Sequence, residues 1–262
     1  MPLFCKVYIA CQTLHLSTET RFSAMVLLHR YLSHYRFHQS HHEGVSSSST
    51  NDRDNERRQH LGNVAAACMF LACKSNNQSR RIRDVMNACH ILQFQHQEPK
   101  ADADSDAITL LVKKHPKPLN DEYWFGKETI VKVEQHVLRM LRFDVTVSQP
   151  HRMLVVVYEE VEILLGEQHT KEYLESALKI AWKRLNDAMF YTPALRLDCL
   201  SLACAALCLA LDECCSKEGK MDNGSQKSLN SKWWNVVNGK EAKILDAKEK
   251  LKEATAHLSN VR

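Results

Sequence analysis

The chain has 262 residues, 44% of them hydrophobic, and its 35 basic and 31 acidic residues give a formal net charge of +4. That length supports one large domain or two ordinary ones with packed cores, while only 7 Gly and 6 Pro leave too little turn material for a many-stranded β fold. Charges of both signs are interspersed, without the concentrated basic stripe that nucleic-acid binding calls for, and an all-α protein is expected.

Phe4, Val7, Tyr8, Cys11 and Leu14 recur at helical spacing and predict a first helix over residues 3–16. Thr18 is a candidate cap for a second, running to about residue 35 with Phe22, Met25, Val26, Leu28 and Leu32 inward. From about 36 to 59 the composition turns to His, Ser, Asn, Asp and Arg, which predicts a disordered polar insertion. Residues 64–74, Val-Ala-Ala-Ala-Cys-Met-Phe-Leu-Ala-Cys-Lys, mix small and large apolar side chains and carry no charge before Lys74. Such a run suits a third helix buried on nearly all sides. A fourth, over about 81–92, places Ile82, Val85, Met86 and Cys89 on one face, and a second polar insertion covers about 95–119. Asn120 can then cap a fifth helix, with Asp121 and Glu122 at its positive end and Ile130, Val133, Val137, Leu138, Met140 and Leu141 facing inward.

Two charges in this half lack a partner on their own helix. Lys74 has Phe70, Leu71, Asn77 and Gln78 at three and four positions' distance, and no acidic residue occurs from 59 to 83. Glu134 has Ile130, Val131, Val137 and Leu138. The two are natural complements across helices, either as an internal ion pair or as part of a surface for another molecule.

After Val145 the pattern restarts. Ser148 and Pro150 open a helix to Leu165, Thr170 opens another to about Tyr191, and Thr192-Pro193 is read as the start of a third to Leu211. Residues 203–210 of that helix, Ala-Cys-Ala-Ala-Leu-Cys-Leu-Ala, can be laid on residues 65–72, Ala-Ala-Ala-Cys-Met-Phe-Leu-Ala. The expectation is an internal repeat of one helical unit, with domains at 1–147 and 148–262. A polar linker at about 216–231 leads to Trp233-Trp234 and a last helix with Ile244, Leu245, Leu251 and Leu258, which is expected to dock on its own domain.

Ten cysteines occur without a C-x-x-C, most of them inside apolar helical runs, and point to a reducing intracellular compartment. Lys6 and Gln12 interrupt the first apolar run, so no signal peptide is expected. The longest uncharged core run, residues 199–211, is shorter than the ~20 residues of a membrane helix, so no membrane association is expected either. His34 and His38 stand one turn apart without a spaced Cys, Asp or Glu partner, so no metal site is assigned. No Gly-rich phosphate loop, G-x-S-x-G or H-E-x-x-H is present, which argues against an enzyme.

Three stretches carry a resemblance: Leu-His-Arg-Tyr-Leu at 28–32, Phe-Leu-Ala-Cys-Lys at 70–74, and Val-Glu-Gln-His-Val-Leu-Arg-Met-Leu-Arg-Phe-Asp at 133–144. With two helical repeats, they resemble the cyclins. Gln-Pro-His-Arg-Met-Leu at 149–154, Ala181-Trp182 with Asp187 and Tyr191, and Lys-Trp-Trp-Asn-Val-Val-Asn at 232–238 make the second half most similar to cyclin Q in the transcription-type group. The resemblance implies two tandem five-helix cyclin boxes, the first carrying the two polar insertions. It implies a non-catalytic regulatory subunit that binds and activates a cyclin-dependent protein kinase as a heterodimer, located in the nucleus and/or cytoplasm. It also implies a kinase interface at Lys74, Glu134, Leu138, Phe143 and Val145, with no catalytic residue, cofactor or metal. Cyclins usually have acidic residues just after this lysine, and Ser75, Asn76 and Asn77 stand there instead. The competing class is a two-repeat general transcription factor that contacts DNA, which would call for a basic face and an N-terminal zinc ribbon.

Overall fold

The computed structural model describes residues 3–39, 50–94, 118–165, 170–217, 233–237 and 239–261. Every regular element among the described residues is helical, and the chain divides into two compact units, Met1–Val147 and Ser148–Arg262.

The first unit contains α1 (Leu3–Thr13), α2 (Thr18–Gln39), α3 (Thr50–Ser75), α4 (Ile82–Phe94) and α5 (Asp121–Met140). Helix α3 is its centre. It packs on all four of the others, and residues 64–69 and 71–73 are all buried. Alanines and cysteines on its surface let neighbouring helices approach closely while Met69 and Leu71 fill the gaps between them. Gly126 on α5 marks another close approach, since a Cβ there would stand 3.1 Å from Met86 Cε of α4.

The disordered insertion expected over about 36–59 is corrected at both ends. Residues 36–39 continue α2 and 50–59 are the first turns of α3, while 40–49 lie outside the described residues. Residues 55–59 are exposed and gain no burial of their own. Their helicity follows from the buried half of α3: once that half is fixed, each further Glu, Arg or Gln adds a backbone bond without a new nucleation cost, and these are good helix formers. Of the second insertion, residues 95–117 lie outside the described residues. Ser17 rather than Thr18 caps α2, its Oγ lying 3.3 Å from the Thr20 N–H, while Thr18 Oγ1 accepts from Arg21.

The second unit has four α-helices among its described residues: α6 (Pro150–Leu165), α7 (Lys171–Ala188), α8 (Cys199–Lys217) and α9 (Glu241–Val261), with short 3-10 turns at Ala194–Arg196 and Trp233–Asn235. Residues 218–232 lie outside the described set. Helix α8 is central here and packs on α6, α7 and α9, with every residue from 201 to 211 buried. Cys199–Ser216 would match a membrane span by length and composition, but 67% of that window is buried inside the protein. The proline start expected for this helix is also corrected. Pro193 opens only a 3-10 turn, and α8 begins after Asp198, whose carboxylate accepts from the Ser201 N–H at 2.8 Å and from its hydroxyl at 2.9 Å. An Asp cap satisfies an otherwise unpaired helix N–H, which proline, lacking a donor, does not need. Along α9, Ile244, Ala247, Leu251, Ala254 and Leu258 are buried at alternating three- and four-residue steps, and the helix packs on α7 and α8.

Gly239 closes the turn into α9 by donating its N–H to Trp234 O at 2.8 Å. A Cβ there would stand 2.9 Å from that same backbone oxygen and from Ile244 Cδ1. Gly239→Ala is expected to destabilise the second unit by about 1–3 kcal/mol through overpacking, read as a lower midpoint in chemical denaturation monitored by the fluorescence of Trp233 and Trp234.

Candidate functional site

The five residues singled out from the sequence lie at the C-terminal end of α3, in the second half of α5 and in the turn that follows α5. Lys74 Nζ donates to Glu134 Oε1 at 2.7 Å. The pair is asymmetric: the Glu134 side chain is 9% exposed and that of Lys74 50%. The anion is therefore held inside and its cation stands at the opening. Lys74 Nζ also lies 4.2 Å from the centroid of the Phe70 ring, one turn back on α3. That cation–π contact and the negative end of the α3 dipole both attract the side chain's positive charge to this position.

Local sequence explains how α3 ends there. Ser75 Oγ and Asn76 Nδ2 donate to Ala72 O, and Asn77, at φ 54°, takes the left-handed conformation. Asn77 N–H bonds Lys74 O and Gln78 N–H bonds Cys73 O, the paired closure of a Schellman motif. Gln78 then ties this turn to the α1–α2 loop by accepting the Ser17 N–H at 2.9 Å, and Arg80 donates to Leu14 O and His15 O. The polar residues after Lys74 are thus helix-terminating groups.

Helix α5 starts on Asn120, whose side chain accepts the Tyr123 N–H, and so presents Glu134 nearly four turns on. Its end repeats the closure of α3: Arg142 N–H bonds Arg139 O, and Phe143 N–H bonds Leu138 O at 2.8 Å. Both Arg142 (φ 52°) and Phe143 (φ 62°) are left-handed, which costs an L-residue roughly 1–2 kcal/mol. The turn is clamped from α2, where Arg30 donates to Thr146 O at 3.0 Å and approaches Asp144 Oδ2 at 3.8 Å. The clamp holds Phe143 out into solvent, 68% exposed, beside the half-buried Leu138 and Val145. Sequence reading missed Phe70, Arg30 and Asp144. An aromatic one turn before the lysine was a usable signal for Phe70, whereas the Arg30–Thr146 bond spans 116 residues and left none.

The three helices that carry these groups also share a ring cluster. Tyr31 of α2 bonds His60 Nε2 of α3 through its hydroxyl at 3.3 Å and meets His136 of α5 edge-on, with Tyr35 beside both Tyr31 and His60. Burial lowers the pKa of His60, with a further push from His136, and burial raises Tyr31 to about 12. All ten cysteines are free, and burial lifts Cys68, Cys89, Cys204 and Cys208 to about 12, so these thiols are inert at neutral pH. No group of three or more metal-ligating side chains occurs among the described residues.

Comparison with known proteins gives consistent matches. The family model for the cyclin N-terminal domain matches residues 7–146. Cyclin-L1 of Xenopus laevis is 30% identical over 149 residues, covering 56% of this chain and 25% of that protein. Cyclin-L2 of Mus musculus is 32% identical over 152 residues, covering 57% and 25%, and Cyclin-L1 of Homo sapiens is 31% identical over 149 residues, covering 56% and 24%. The chain thus spans about a quarter of the length of these curated relatives.

Two outcomes are expected from this geometry. Lys74→Ala leaves the Glu134 carboxylate buried without its donor and should cost about 1–2 kcal/mol in urea denaturation, the half-exposed lysine keeping the loss below that of a fully buried pair. For His60, a folded pKa below the unfolded 6.5 means that the unfolded chain binds more protons in this window. Stability should therefore fall as pH drops through 6.5 and level off below the folded pKa. Denaturation midpoints across that range, compared with those of His60→Gln, measure the effect.

Proposed function

The chain belongs to the cyclin family, and we propose that it is a regulatory subunit that binds and activates a cyclin-dependent protein kinase of the transcription-related group. The observation that carries this reading is the Lys74–Glu134 pair together with its surroundings. The half-exposed Lys74 side chain has donors to spare, and Leu138, one turn beyond Glu134 on α5, with Phe143 and Val145 in the turn that follows, supplies exposed or half-buried apolar groups. An ammonium has three N–H donors. Glu134 takes one, and the others are available to backbone carbonyls of a partner.

The reaction chemistry belongs to the kinase. A kinase positions ATP only when a strand lysine pairs with a glutamate on a mobile helix, and a subunit that binds the arrangement with this helix pressed inward shifts the population towards it. The cyclin's part is the differential binding free energy, to which a rigid α3–α5 surface contributes more than a mobile one because less ordering is lost on association. We read Ser148–Arg262 as a second cyclin box, supported by its central small-residue helix, and retain the likeness of this half to cyclin Q. The Cyclin-L matches favour a transcription-related role and a nuclear location.

Glu134→Lys places two cations together and should abolish recovery of kinase activity with the tagged chain expressed in cells. Phe143→Asn keeps a residue that tolerates the left-handed conformation, so the fold should survive while the recovered activity drops roughly tenfold, as expected for loss of one exposed aromatic anchor. Full kinase recovery by both variants, each with an unchanged melting temperature, would refute the assignment of this surface.

A further inference from the structure

Helix α6 departs from two local expectations within the same few turns. Its solvent side carries Val155, Val156 and Leu164, all exposed, and Ile163, which is 77% exposed. At about 3.6 residues per turn, Val155, Val156, Glu159 and Ile163 share one stripe, opposite the buried Leu154, Val157 and Val161. β-Branched residues facing water lose side-chain freedom in a helix and gain no packing, so neither propensity nor the core accounts for them. Glu159, Glu160 and Glu162 stand in the last two turns, where the negative end of the helix dipole disfavours them.

The one Lys or Arg within α6 is Arg152, exposed at the N-terminal end of the same stripe. No Lys or Arg occurs from residue 153 to 170. At the edge of the stripe, burial raises the pKa of Tyr158, and Glu162 of α6 and Glu175 of α7 raise it further, which places a negative field at this end of the α6–α7 pair. An exposed aliphatic stripe merged with acidic groups is a poor surface for water and a suitable one for a ligand that is apolar and cationic together.

We propose that the solvent face of α6 docks a basic amphipathic helix of a partner protein. Its apolar side would lie on Val155, Val156 and Ile163, and its lysines or arginines would meet Glu159, Glu160 and Glu162. Charge selects this occupant over two others. A second copy packing α6 on α6 would set like glutamates against each other, and an anionic lipid surface would be repelled by the same groups. This surface lies in Ser148–Arg262, so the inference is independent of the kinase contact proposed for α3 and α5.

The probe is a fluorescein-labelled Leu/Lys peptide of about 18 residues with leucines at helical spacing, titrated against the full chain by fluorescence anisotropy. Saturable binding is expected at about 0.05 M salt, weakening roughly tenfold at about 0.3 M. Ile163→Lys and the double variant Glu159→Lys, Glu160→Lys should each weaken it at least roughly tenfold, with melting temperatures unchanged because all three side chains face solvent. A Leu/Glu peptide of the same pattern should not bind. Equal binding by Ile163→Lys, or equal binding of the Leu/Glu peptide, would overturn the proposal. So would self-association of the chain that Ile163→Lys abolishes, because the occupant would then be a second copy.

Discussion

Helix α5 holds a carboxylate among apolar neighbours, and the first unit has to satisfy it. Glu134 is buried between Ile130 and Val137 on the inward side of its helix, where an unpaired anion would cost several kcal/mol. Only Lys74 reaches it as an ion-pair partner among the described residues, and Lys74 is placed by a helix that touches every other helix described in the unit. The small residues of α3 are thus a condition of the pair. Bulkier side chains at 65–68 would push α3 and α5 apart, and the 2.7 Å hydrogen bond could not form. Well-packed apolar residues would often serve stability as well as a buried ion pair does. Its use here fits better with what the lysine offers outward, since half of that side chain remains in solvent.

Helix endings do comparable work. The turns after α1, α3 and α5 close in the same way, with His15, Asn77 and Arg142 in the left-handed conformation and the next N–H reaching back to Cys11, Cys73 and Leu138 respectively. Glycine is the usual occupant of that position, yet this chain has only 7 glycines. Asn77 bears the conformation at little cost, whereas Arg142 and then Phe143 do not. Strain of this kind persists only where surrounding contacts enforce it, and the Arg30 clamp on Thr146 and Asp144 is such a contact.

Much of this was legible in the residues. Periodicity located the helices because their apolar faces are continuous, and the unusual composition of residues 64–73 and 203–210 marked the two helices that prove central. The cross-helix pair was readable from two charges that lacked neighbours of opposite sign. What could not be read depended on contacts distant in sequence or on cooperativity. Residues 50–59 look like a loop by composition, but they extend a helix nucleated elsewhere. Thr192-Pro193 looks like a helix start, but Asp198 offers the better acceptor. The run at 75–77 stands out by composition as a place where acidic residues are replaced, yet its first role is to stop α3.

The two cores rest on generic means, small residues in a central helix and aliphatic stripes around it, and many sequences could meet those demands. Specific function is better sought where a residue contradicts its local setting without repair nearby. Glu134 on an apolar helix face is one case, repaired by Lys74. Phe143 is a second, strained and exposed at once, and nothing inside its unit benefits from that exposure. Val155, Val156 and Ile163 are a third, for helix propensity, burial and solvation all disfavour them where they stand. Lys74 and Phe143 belong to one unit, whereas the α6 stripe belongs to the other. A single contact surface on one unit explains the first two cases and leaves the third without a cause, which is the physical ground for assigning the chain two distinct surfaces.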